Sequence, residues 1–290
     1  MAIPESQLET WSHQGSITNS AATGNSIKTA LEQYKGFPAG TTFETYLQGS
    51  YKNDTNVFGE SDVDVVVELT SSFYNNLTDE QKAVFKFTKA EYGYFNFRDD
   101  VEKCLREYYG NANVTTGNKV FKIAPNANRL EADVLASSSY RHYYNTAEET
   151  AYFKGVAFYT RNAGNQIINF PKRHSDNATI KHQNTASWFK PTVRFFKNIR
   201  NHLVNNNGFN KSTAPSYFIE CLLGNIPDNQ FGINYQTTAV NCINYLRQND
   251  ISNFKCLNGI RPLWGTTTEN WNPNDLNTFL NTLINLWHNW

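Results

Sequence analysis

Two aspartates with one residue between them, Asp62 and Asp64, run directly into Val65-Val66-Val67. A β-branched apolar run favours a strand, and side chains along a strand alternate between its faces. Asp62 and Asp64 therefore share one face, and Val63, Val65, Val67 and Leu69 share the other. The apolar face needs a core to cover it, so this strand is half core and half site. Paired carboxylates repel unless a positive charge lies between them. A divalent ion such as Mg²⁺, carrying a triphosphate, suits that place. Shortly upstream stands Gly49-Ser50. A glycine lets the backbone approach a phosphate closely, and a serine N–H and hydroxyl can bind its oxygens.

The 290-residue chain carries 26 basic and 26 acidic residues, a formal net charge of zero. That balance does not make the whole protein an electrostatic glove for nucleic acid, and no stable nucleic-acid partner is expected. The length suits one large domain or two lobes. Cys104, Cys221, Cys242 and Cys256 form no Cys-x-x-Cys pair, and no His lies at zinc-like spacing. Reduced cysteines in a cytoplasmic monomer are the expectation, with Cys104 and Cys221, which sit within apolar patterns, as buried thiols. Met1 to Ser6 has neither the basic start nor the apolar run of a signal peptide, and no stretch of ~18 uncharged apolar residues suggests a membrane span.

Periodicity predicts a helical but broken segment from Ser6 to Gln33, interrupted at Gly15 and Gly24. Strands are expected at Thr42–Gln48, Asp62–Leu69, Lys119–Ile123 and Leu130–Leu135. Thr78 with Gln81 fits a capping box. Asp99 is placed as the cap of a helix that ends at Gly110. Long helical patterns cover Thr185–Asn205, with Pro191 in the first turn, and Asn274–Trp287; a shorter one covers Pro215–Leu223. The pattern is α/β (α+β): a mixed first lobe over residues 1–150 and a helical second lobe over 151–290, with the N-terminal helix able to span both.

A third carboxylate is needed if two ions ~3.5–4 Å apart are to drive phosphoryl transfer. Asp133 is the candidate. In Leu130-Glu131-Ala132-Asp133-Val134-Leu135 it faces away from the apolar residues, and it could take the proton of an attacking hydroxyl. Lys190, Arg194 and Lys197 recur on one helix face, and Lys197 could neutralise a γ-phosphate. Ser216 and Tyr217 open the next helix, where a phosphate oxygen and a base could bind. Each element also has a plain structural reading: a solvated turn, a wet helix face, a core tyrosine, an Asp133 paired with a lysine.

The order of these parts resembles the DNA polymerase β-like nucleotidyltransferases, and within them the cGAS/DncV-like nucleotidyltransferases (CD-NTases), clade E. The resemblance rests on Pro4–Leu8, Trp11–Gly15, Leu47–Asn56, Ser61–Val67, Phe189–Arg194 with Phe196–Asn198, and Ala214–Leu223. It implies a nucleotidyltransferase lobe and a helical C-terminal lobe forming a two-lobed cage around a central active site. The implied activity is Mg²⁺-dependent synthesis of a cyclic dinucleotide from ATP and UTP for anti-phage signalling, with Mn²⁺ as a substitute ion. The implied metal triad is Asp62, Asp64 and Asp133. Gln48, Gly49, Ser50, Lys197 and Ser216 would meet the donor triphosphate, and Tyr217 would stack on a base. Asn169, ahead of Phe170-Pro171-Lys172, would read a pyrimidine edge, giving cyclic UMP-AMP first and cyclic di-UMP second. The rival readings are a linear RNA 3′-end nucleotidyltransferase and a non-catalytic nucleotide-binding module on the same fold.

Overall fold

The computed structural model describes residues 2–15, 18–59, 62–267 and 269–290. Ser16 and Ile17 of the expected N-terminal helical segment, and Ser61 of the aspartate motif, lie outside them. By packing, the chain forms two compact units. A sheet unit comprises Ile17–Tyr51 and Ser61–Arg173; a helical unit comprises Met1–Ser16, Lys52–Glu60 and His174–Trp290.

The sheet unit is built on β1 (Phe43–Leu47), β2 (Val63–Asn75), β3 (Val114–Thr116), β4 (Phe121–Ile123), β5 (Ala132–Tyr143), β6 (Tyr152–Tyr159) and β7 (Gln166–Asn169). Their order is β1-β2-β5-β4-β3, and β6 pairs with the second half of β5 and with β7. β2 and β5 run parallel, while the other pairings are antiparallel. The expected alternation holds. Val63, Val65, Val67 and Leu69 of β2 join Ala132, Val134 and Ala136 of β5 in one buried cluster. It is closed by Ile27, Ala30 and Leu31 of α2 (Thr18–Gln33), and by Phe97, Val101 and Leu105 of a second helix, Tyr94–Tyr109. Each buried Val, Leu, Ile or Phe side chain among these contributes about 1.5–3 kcal/mol on burial. The opposite face keeps Asp64 and Asp133 clear of the core.

The helical unit packs α1 (Glu5–Ser12) against a long helix, Phe189–Asn207, whose Val193, Phe196, Ile199 and Leu203 are buried as the periodicity predicts. Across both units the α-helices after α2 are, in chain order, α3 (Gly49–Asn53), α4 (Asp79–Val84) and α5 (Tyr94–Tyr109), then α6 (Pro171–Asn184), α7 (Phe189–Asn207), α8 (Ser216–Gly224), α9 (Tyr235–Gln248) and α10 (Pro273–His288), with α4 and α5 in the sheet unit. All four cysteines are free and buried.

Several expectations needed correction. Gly24 does not break α2; a Cβ there would lie 3.0 Å from a Leu47 methyl, so the glycine admits that side chain. Asp99 does not cap α5, which starts at Tyr94 because Tyr94 and Phe97 are buried from its first turn. Thr78 and Gln81 do form the capping box of α4. β3, β6, β7 and α6 had no strong period to announce them, whereas α9 was passed over although Ala239, Cys242, Ile243 and Leu246 recur at helical spacing. The residue 150/151 division falls between β5 and β6, which pair from Ser138 to Tyr143, and the sheet unit extends to Arg173.

Candidate active site

β2 and β5 are in register so that Asp64 lies opposite Asp133, and β4 places Lys122 opposite Asp133 from the other side. Register partners on adjacent strands project to the same face. A row Lys122–Asp133–Asp64 therefore crosses the middle of the sheet. Asp62 precedes β2 by one residue and is exposed. Lys122 Nζ lies 3.4 Å from Asp133 Oδ1 and 3.6 Å from Glu131 Oε1. Oδ1 of Asp133 is itself buried and accepts no hydrogen bond. Burial pushes the Asp133 carboxyl above the usual carboxylate range; Lys122 opposes that shift, while Asp62 and Glu131 add to it. Lys122 is held above its ordinary value, chiefly by Asp133.

The Gly49-Ser50 motif meets this row directly. The Gln48 amide donates to the Asp64 carbonyl at 2.9 Å, tying the end of β1 to β2. Gly49 then turns at φ +66°, and a Cβ there would come within 2.2 Å of Asp64 Oδ2. Only glycine satisfies both the left-handed backbone and the close approach. Gly49→Ala should displace the Asp64 carboxylate and lower turnover by roughly a hundredfold, with a melting temperature only a few degrees lower. A kinetic comparison at saturating nucleotide, with circular dichroism as the fold control, checks this; wild-type turnover would refute it. Ser50 follows in α3 and is half-buried.

The helical unit holds the other candidates, and their surroundings are more constrained than the sequence suggested. Lys197 is 1% exposed. Its Nζ donates to Glu220 Oε1 at 2.6 Å, to the Thr55 carbonyl at 3.1 Å and to Thr55 Oγ1 at 3.2 Å. Three protons meet three acceptors, so contact with a phosphate would require one of these bonds to be released. Glu220 also accepts from Thr55 Oγ1 and Asn53 Nδ2, and its Oε2 lies 2.7 Å from His174 Nε2. Lys190 pairs with Asp54, and Arg194 donates to the Asp54 and Ser12 carbonyls. The basic stripe of α7 thus staples Asp54 and Thr55 within the helical unit. Asp54 accepts φ +57° as part of that anchoring. Ser216 opens α8 and receives a bond from Arg200. Tyr217 is 39% exposed; its ring stacks with His174 at 4.8 Å and with Trp271 at 5.6 Å.

Asn169 is exposed at the end of β7, paired with Val156. The next strand residue down on β6, Gly155, holds this end close: a Cβ there would collide with the Asn169 carbonyl at 2.7 Å and with Phe170 at 2.8 Å. Lys172 pairs with Glu44, lies 3.6 Å from the buried Glu68 and sits over the Tyr46 ring at 4.5 Å. Glu220, Gly155 and Lys122 escaped the reading of the sequence. Only Glu220 left a clear signal: one acid in Tyr217-Phe218-Ile219-Glu220-Cys221-Leu222-Leu223, a helix too apolar to leave it solvated.

Asp62, Asp64 and Asp133 supply the hard oxygen donors that a Mg²⁺-sized ion prefers, and Asp133 Oδ1, buried and accepting no hydrogen bond, fits that use. Among the described residues no group of three or more His, Cys, Asp or Glu side chains is drawn into a ready metal cage.

Residues 176–288 match the model of the cGAS/DncV-like nucleotidyltransferase C-terminal helical domain. The cyclic UMP-AMP synthase of Rhodothermus marinus is 45% identical over 291 residues, covering 100% of this chain and 99% of that protein. The cyclic nucleotide synthase CdnE01 of Staphylococcus haemolyticus is 35% identical over 302 residues, covering 100% of both. The solved structure of the R. marinus CdnE c-UMP-AMP synthase with Apcpp and Upnpp superposes with a TM-score of 0.94, over 99% of this chain and 97% of that one. Mixed sheet, in-register acids and helical C-terminal domain together define a nucleotidyltransferase. More narrowly, the chain belongs to the cGAS/DncV-like nucleotidyltransferases, in their CdnE branch. No helix among the described residues is long and apolar enough to cross a membrane.

Proposed function

We propose that this chain joins nucleoside triphosphates into a uridine-containing cyclic dinucleotide, cyclic UMP-AMP before cyclic di-UMP, in two successive phosphodiester steps. The observation that carries the reading is Asp133, in register with Asp64 and with a buried oxygen that accepts no hydrogen bond. In each step a ribose hydroxyl oxygen forms a bond to an α-phosphorus, the α-phosphate to β-oxygen bond breaks, and pyrophosphate leaves. Asp133 accepts the hydroxyl proton. Asp62, Asp64 and Asp133 would hold Mg²⁺, which when bound lowers the hydroxyl pKa and neutralises charge on the phosphates. Gln48, Gly49 and Ser50 offer backbone and hydroxyl groups to the donor triphosphate. Ser216 contributes a hydroxyl, Tyr217 a ring for a base, and Lys197 a positive charge. A role in anti-phage signalling follows from the family resemblance.

Asn169 carries both a donor and an acceptor, as a uracil edge demands. Asn169→Ser is expected to shift incorporation from UTP towards purine nucleotides by several-fold, read as product ratios from equimolar NTPs. An unchanged ratio would remove Asn169 from base selection. Feeding single and paired α-labelled NTPs with Mg²⁺ and identifying phosphatase-resistant product by mass tests the proposal. An exclusively linear product or extension of added RNA would favour the end-adding reading, which the zero net charge disfavours. No product with either Mg²⁺ or Mn²⁺ would favour a binding module.

A further inference from the structure

We infer that Lys122 is a resident counter-cation of the acid row: it steadies Asp133 and Glu131 in the metal-free enzyme and opposes entry of a divalent ion, so that metal binding displaces it. The inference rests on the reading of the aspartates as metal-binding. β4 is only three residues long, but Phe121 and Ile123 are buried on its other face, so the strand stays fixed while Lys122 projects over the acids. Its register with Asp133 leaves the side chain no other face.

The geometry is that of an exchangeable partner. Nζ lies 3.4 and 3.6 Å from the two acids, beyond close hydrogen-bonding distance, and the side chain is 46% exposed. The permanent pair in the same chain looks different: Lys197 and Glu220 meet at 2.6 Å with side chains 1% and 5% exposed. A lysine on a flexible four-carbon stem can swing its ammonium into water without moving the strand. One positive charge placed among the ligands raises the cost of adding two more.

The test is Mn²⁺ binding without nucleotide, followed by the electron paramagnetic resonance signal of the free ion at low ionic strength. Lys122→Met and Lys122→Gln should bind Mn²⁺ about tenfold more tightly than the wild type, and Lys122→Arg should bind as the wild type does. The neutral variants should also melt at a lower temperature without metal and gain more from a fixed Mn²⁺ concentration. A purely structural lysine would lower the melting temperature and leave Mn²⁺ affinity unchanged; that result, or weaker binding, would overturn the inference. Asp64→Asn with Asp133→Asn provides the separating control. If it leaves wild-type Mn²⁺ affinity intact, the assignment of the acids has failed; if it abolishes binding while Lys122→Met changes nothing, only the role of Lys122 has.

Discussion

Neutralising Asp64 or Asp133 to asparagine is expected to lower nucleotidyl-transfer turnover by roughly a thousandfold or more, with the melting temperature unchanged or slightly raised. The two halves of this expectation share one cause. Asp133 is a desolvated carboxyl with Glu131 and Asp62 as acidic neighbours, and its folded pKa lies above the ordinary value. Holding such a group ionised at neutral pH costs stability, so removing the charge relieves repulsion while removing a ligand and a base. The pH dependence follows with a definite sign. Asp133 takes a divalent ion only when deprotonated, and its pKa without metal is raised, so turnover at limiting Mg²⁺ should fall on acidification at a pH above that at which an unperturbed carboxylate protonates. Product formation at saturating nucleotide across a pH series, with thermal melts on the same samples, measures both. Full turnover in the Asp133→Asn enzyme would remove it from the chemistry.

Breaking the Glu220 network is expected to have the largest effect on stability of any substitution considered. Lys197→Met leaves Glu220 as a buried charge with its main partner gone, and such losses cost about 3–5 kcal/mol. For a chain of this size that corresponds to a melting temperature lower by about 10 °C. Glu220→Gln should fall in the same direction, leaving the Lys197 ammonium beside a neutral amide. Burial alone would push the Glu220 carboxyl up, but Lys197 and His174 outweigh it and hold it well below the usual range. A depressed carboxylate contributes stability above its unfolded value, roughly 4.3, and loses that contribution as pH falls towards the folded value. The wild type should therefore weaken steeply below about pH 4, and Glu220→Gln should show a flatter acid limb. Denaturant melts between pH 3 and 7 read this out. Parallel curves for the two proteins would show that Glu220 is not the acid-sensitive element.

These two networks mark how far the sequence could be read. Alternation in β2 and the run Leu130–Leu135 placed the three aspartates correctly relative to the core, because period-two patterning is decided locally. The β2–β5 register that puts Asp64 opposite Asp133 depends on residues far apart in the chain and has no local signature. The same holds for Lys122: a strand was expected at Lys119–Ile123, but nothing local sets its register beside Asp133. Lys190, Arg194 and Lys197 were legible as one basic stripe, but not their partners. Asp54, Thr55 and Glu220 come from a loop and a different helix. α6 was missed because few of its residues are buried, leaving almost no apolar period, and its end is set by left-handed backbone at Ala186 and Ser187.

Crystals of the protein grown with Mn²⁺ and a non-hydrolysable UTP analogue, measured at the manganese absorption edge, would test the central claim most directly. The account predicts an anomalous peak about 2.1 Å from carboxylate oxygens of both Asp64 and Asp133, with the Lys122 ammonium withdrawn. Manganese bound elsewhere, with Asp133 still facing Lys122 and the nucleotide in place, would contradict it.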